Sequence, residues 1–150
     1  MNLPVTRYYG SKRRLLDKIW DALSLHQIEF DSMLDLFGGT AIVSYYMAQK
    51  GKNIIYNIDR GKVNLEIGVG KNWEFEKRIN YINELDELIY KHRDSIIALS
   101  YTTEGYPSIQ ELEEVIHRYK QTTHVCYLGK HGFALNRNNA ERQEVLIIGL

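Results

Sequence analysis

Residues 32 to 59 constrain the fold more than any other part of this chain. Ser32 to Phe37 holds the apolar run MLDLF and is closed by Gly38-Gly39-Thr40. Ala41 to Gln49, AIVSYYMAQ, reads as a helix that stops at Lys50-Gly51, a C-cap signal. Asn53 to Ile58, NIIYNI, reads as a second strand, with Asp59 at its end. Strand, glycine-rich turn, helix, strand is a βαβ unit, which implies a parallel sheet with a right-handed crossover. Glycine in the turn lets a ligand approach the backbone with no Cβ in the way. The N–H groups that open the following helix can face that ligand. Asp59 lies twenty positions after Gly39, where a carboxylate can accept hydrogen bonds from ribose hydroxyls. Taken singly, a glycine pair also serves as turn punctuation, and an Asp at a strand end as a helix cap. Together, at this spacing, they point to a nucleoside. The turn is not the phosphate-binding G-x-G-x-x-G, because Thr40 and Ala41 follow the second glycine, and no P-loop pattern occurs.

The flanking segments continue the alternation of helix and strand. Lys12 to Leu25 has Leu15, Leu16, Ile19 and Leu23 at helical spacing. Trp73 to His92 carries Phe75, Ile79, Ile82, Leu85 and Ile89 on one stripe, a long amphipathic helix. Ser95 to Tyr101, SIIALSY, is nearly continuous apolar and reads as a central strand covered on both faces. Ser108 and Glu111 form a capping-box pattern ahead of a helix with Ile109, Leu112, Ile116 and Tyr119 on its apolar side. Thr123 to Leu128 and Glu144 to Leu150 read as closing strands around a polar loop, Asn136 to Arg142. The expectation is one three-layer α/β domain over residues 1–150. Arg60 to Asn72 breaks the pattern: it is glycine-bearing, without helical or clean strand period, where a doubly wound sheet would place another strand and helix.

Composition narrows the function classes. The 150 residues are the usual size of one domain and can bury a continuous core. No apolar run approaches the ~20 residues of a membrane span, and MNLPVTRYYGSKRR has no apolar core of a secretory signal. Cys126 is the single cysteine, which excludes an internal disulfide and a cysteine-built zinc site and fits a reducing cytoplasm. His117, His124 and His131 recur every seven residues but fall on a helix, a strand and a loop, so they read as unrelated positions rather than a metal site. Nineteen basic residues balance nineteen acidic ones, short of the basic excess that holds nucleic acid.

In this order, several segments resemble one family. Arg7-Tyr-Tyr-Gly-Ser-Lys12 with Leu15-Leu16 is similar to the N-terminal AdoMet-binding motif K-[WY]-x-G-G-K-x-x-L of Dam-like, D12-class adenine-N6 DNA methyltransferases. DLFGGTAIVS, Asp35 to Ser44, resembles their motif I, D-x-F-x-G-[ST]-G. SIIALSYTTEGYPS and EVLIIG resemble the late strand and turn and the closing strand. The resemblance covers about residues 5–60 and 72–150 and implies a Rossmann-like AdoMet-dependent methyltransferase fold. It assigns Tyr8 to pack near AdoMet, Lys12 to approach its carboxylate, Asp35 to orient its amino group, Phe37 and Gly39 to shape the turn, and Asp59 to bind the ribose. Without the resemblance, Tyr8 is equally a core aromatic and Lys12 part of a solvated Lys-Arg-Arg face. Ser11 and Ala41 stand where the family usually has glycine.

The family's catalytic tetrapeptide, [DNS]-P-P-[YF], cannot exist here, because Pro4 and Pro107 are the two prolines and are not adjacent. In the family, that tetrapeptide binds the flipped adenine, and a DNA-contacting recognition region precedes it. Here the interval has shrunk to residues 60–72, which implies an internal deletion and no catalytic residues in this chain. The resemblance then implies a restriction-modification-type adenine methylase that uses AdoMet on double-stranded DNA when complete and is inactive as written. The alternatives are a non-catalytic AdoMet- or nucleoside-binding remnant or regulatory module, and a methyltransferase for a small molecule or RNA.

Overall fold

The computed structural model describes residues 12–35, 41–56, 75–130 and 142–150, in two compact units, 1–68 and 69–150. The boundary between the units falls inside the glycine-bearing stretch 60–72.

In the first unit, a 3-10 turn, Arg13–Leu15, leads into α1, Leu16–Leu25. Leu15, Leu16, Ile19, Ala22 and Leu23 are buried, so the apolar stripe read from the sequence faces the core. The helix ends in a Schellman motif: Ile28 N–H donates to Leu23 O, Gln27 N–H donates to Ser24 O, and Gln27 takes the left-handed conformation. β1, Ser32–Asp35, and β2, Asn53–Tyr56, pair in parallel, with α2, Ile42–Gln49, between them in the chain. The register sets Leu34 opposite Ile55 and Asp35 opposite Tyr56. α2 also ends in a Schellman motif, with Gly51 at the left-handed position and Lys52 N–H donating to Met47 O. Ile42, Tyr46 and Met47 are the buried face of α2. The βαβ unit expected from the sequence is therefore present in its described parts.

The second unit holds α3, Phe75–Lys91; β3, Ile97–Thr102; α4, Ile109–His117; β4, Thr123–Lys130; and β5, Gln143–Gly149. Its sheet has the order β3-β5-β4, with β5 antiparallel to both neighbours. β3 and β4 are therefore parallel to each other, joined through α4, with β5 inserted between them. This corrects the sequence reading, which made β3 the central strand and the last segment a closing one. Among the described residues β3 pairs only with β5. Val145 to Ile148 of β5 are at most 2% exposed, whereas Ile96, just before β3, is 43% exposed. Both segments are apolar runs. Among the described residues only β5 has a ladder on each side, and its successive residues, which point to opposite faces, are all buried, as a continuous apolar run requires.

The core of this unit gathers Leu85 and Ile89 of α3, Leu112, Val115 and Ile116 of α4, and Val145 and Ile147 of β5. α4 begins with the expected capping box: Glu111 N–H donates to Ser108 Oγ at 3.2 Å, and Ser108 N–H donates to Glu111 Oε2 at 2.7 Å. Gly149 allows α4 to lie close to β5, because a Cβ there would sit 2.6 Å from Ile116 Cγ2. The buried Lys120 ammonium donates to the carbonyls of Arg93 and Ser95, tying the end of α4 to the segment after α3.

Candidate functional site

The expected site lies where β1 ends and α2 begins. β1 carries Asp35 to its C-terminal end, and in a parallel pair the C-terminal ends of both strands lie at one edge. Ala41, the N-cap of α2, has φ 54° and ψ 21°, the left-handed conformation in which glycine is the natural occupant. The sequence places Ala41 where related motifs have glycine, and the backbone there is of the kind glycine serves. No side chain caps α2 at its start, and no acidic residue lies in its first turn. Among the described residues, the first N–H groups of α2 are thus given no side-chain acceptor by its own N-cap.

Ser44, in that first turn, is 0% exposed, and its hydroxyl donates to Asp35 Oδ2. The bond joins the end of β1 to the start of α2 across the glycine-rich turn. The sequence reading singled out Asp35 and overlooked its partner Ser44. The signal was available: a hydroxyl interrupts the buried face formed by Ile42, Tyr46 and Met47, nine residues after an Asp. α1 is anchored to the same helix. Tyr46 Oη donates to Asp17 Oδ1 at 2.8 Å, and burial together with this bond and the charges of Asp17 and Asp21 pushes the phenol up to about 12. Lys50, beyond the far end of α2, lies 4.9 Å over the Trp20 ring and 5.3 Å over the Tyr46 ring.

Of the six expected cofactor residues, Lys12 and Asp35 are described. Lys12 is half-buried at the start of the 3-10 turn, with its carbonyl accepting from Leu15 N–H at 2.8 Å. Tyr8, Phe37, Gly39 and Asp59 lie outside the described residues, as does His131. His117 ends α4 and His124 is on β4. Among the described residues no group of three or more His, Cys, Asp or Glu could hold a metal ion.

The turn Glu104-Gly105-Tyr106, in the second unit, follows β3. Gly105 is pressed against Tyr101: a Cβ would sit 2.4 Å from the phenol oxygen. Among the described residues that hydroxyl is buried without a hydrogen-bond partner, and burial, reinforced by Tyr81 and Glu111 and opposed by Arg142, pushes it above its ordinary range. Arg142 Nε donates to Thr102 Oγ1 at 2.6 Å, and Gln143 N–H donates to Thr103 Oγ1 at 3.0 Å, fastening the turn to the start of β5. Cys126 is half-buried, and burial pushes its thiol up, away from the thiolate that reactivity requires.

Compared with known protein families, the chain matches the D12 class N6 adenine-specific DNA methyltransferase model over residues 8–137. No curated protein and no solved structure matches it.

Proposed function

Since the chain belongs to the D12 class of N6 adenine-specific DNA methyltransferases, we propose that it keeps the cofactor site of that family and lacks the catalytic motif. On this reading it binds AdoMet and transfers no methyl group by itself. The observation that carries the reading is the Asp35–Ser44 clamp at the mouth of an α2 without a side-chain cap, joined to a parallel β1–β2 pair. AdoMet brings an ammonium, a carboxylate, a ribose diol and an adenine, and when bound it supplies an electrophilic methyl carbon on sulfur. Asp35 offers a carboxylate to the ammonium, Lys12 a cation to the carboxylate, and Asp59 an acceptor to the ribose. Tyr8 and Phe37 give aromatic surface to the adenine, and Gly39 keeps the turn close to it.

What is missing is the means to hold a substrate amine. With Pro4 and Pro107 apart, the chain has no Pro-Pro pair and so no family tetrapeptide to accept hydrogen bonds from an adenine amino group and to stack on the flipped base. Catalysis by positioning and desolvation therefore has no second reactant to act on. The proposal extends to a place in a restriction-modification system of the cytoplasm, with double-stranded DNA as the partner of the complete enzyme, and its support is the family match to DNA methyltransferases. The zero net charge of this chain is consistent with a lost recognition region. The parallel β1–β2 pair of the first unit, and β3 and β4 running parallel on either side of an antiparallel β5 in the second, are each compatible with the reduced three-layer Rossmann-like fold that we propose. A non-catalytic, regulatory AdoMet- or nucleoside-binding module shares the same cofactor site and differs only in purpose.

The test is a calorimetric titration of the purified chain with AdoMet beside Asp59→Ala. We expect the variant to bind more weakly by about 1–3 kcal/mol, the range for a lost hydrogen bond to a charged group. An unchanged dissociation constant removes the role of Asp59, and methylated adenine in duplex DNA incubated with the wild-type chain removes the claim of inactivity.

A further inference from the structure

We infer that Ser44 is a positioning residue of the cofactor site: its hydroxyl holds the Asp35 carboxylate so that the second oxygen is presented to the cofactor ammonium. The inference rests on the AdoMet reading above. Ser44 is wholly buried, and its hydroxyl donates to Oδ2 of Asp35. Among the described residues nothing donates to Oδ1. A carboxylate at a strand end can rotate about its terminal torsion, whose preference is broad. With one oxygen fixed by a donor that cannot itself move to solvent, the rotation stops, and a cation meets a carboxylate already in place. Preorganisation of this kind removes the ordering cost that a free side chain meets on binding. The hydroxyl also spans the glycine-rich turn, so the same bond sets the distance between the end of β1 and the first N–H groups of α2. Ser44 is wholly buried and its single proton is committed to Asp35, so it acts on the ligand through Asp35.

Two cofactors distinguish positioning from general support of the fold: AdoMet, and the analogue in which hydrogen replaces the α-amino group. Ser44→Ala is expected to bind AdoMet about tenfold more weakly, as for one lost hydrogen bond to a charged group, and to bind the deaminated analogue as the wild-type chain does. Asp35→Asn is expected to show the same selective loss, and Ser44→Ala added to Asp35→Asn to cause no further loss. Where Ser44→Ala does not fold by circular dichroism, Ser44→Cys keeps the volume with a weak donor and gives the same comparison. Equal weakening toward both cofactors, or none toward AdoMet, overturns the role of Ser44 while leaving AdoMet binding intact. A wild-type chain that binds neither cofactor overturns the AdoMet reading and this inference together.

Discussion

Ala41 is an L-residue held where glycine would be unstrained, and replacing it tests whether the turn before α2 has the geometry described. Its φ of 54° and ψ of 21° lie in the left-handed region, which costs an L-residue about 1–2 kcal/mol. Glycine removes that cost but brings more unfolded-chain entropy, about 0.4–1 kcal/mol. Ala41→Gly is therefore expected to stabilise the protein by about 0.5–1 kcal/mol, an upward Tm shift of about 1–4 °C for a chain of this size. Ala48, exposed on α2, provides the control. The same substitution there falls in right-handed helix and is expected to cost about 1 kcal/mol. The assay is thermal unfolding of both variants by calorimetry, and the diagnostic is the opposite sign of the two shifts. If Ala41→Gly lowers Tm as Ala48→Gly does, Ala41 is not left-handed and the account of the turn is wrong.

Two further outcomes follow from the hydrogen bonds around the helices. Ser108→Ala is expected to cost about 1 kcal/mol through loss of the α4 cap. Donation from the Ser108 backbone and hydroxyl holds the Glu111 carboxyl below its ordinary value, so the part carried by the hydroxyl's bond to Glu111 is whole above that ordinary value and is lost as pH falls through the lowered one, while the Glu111 N–H to Ser108 Oγ bond does not titrate. The gap between the denaturant midpoints of wild type and Ser108→Ala should thus narrow in acid without closing, and a constant gap would refute the linkage. Tyr46→Phe is expected to cost about 1 kcal/mol near neutral pH through the lost bond to Asp17. The folded phenol titrates near 12 rather than 10, so the wild-type advantage is whole below pH 10 and disappears as pH rises toward 12. A difference from Tyr46→Phe that does not change across that window would show that the phenol is not held as described.

The local signals in the sequence were strong where one residue type had one physical use. The stripe Leu15, Leu16, Ile19, Leu23 and the capping box Ser108–Glu111 gave α1 and α4, and Lys50-Gly51 marked the end of α2. Strand order was a different matter. SIIALSY and EVLIIGL are both apolar, and which one gains neighbours on each side depends on how the chain returns after β4, a long-range choice that no local pattern contains. Gln27 follows α1 in the left-handed conformation without the glycine that usually signals a stop, and it was the end of the apolar stripe that put the helix end at Leu25. Asp35 was readable as a candidate from its strand end, whereas Ser44 showed only as a hydroxyl on the apolar face of α2, and that mark does not name its partner until the turn brings the two together. Tyr8, Phe37, Gly39 and Asp59 stand on sequence and family alone.

The central claim is a retained cofactor site without catalytic groups. It is tested most directly by incubating the purified chain with AdoMet labelled in its methyl group and adenine-containing duplex DNA, and measuring the label on each. The account predicts label bound saturably by the protein and none transferred to the DNA. Label on adenine, or no label held by the protein, would contradict it.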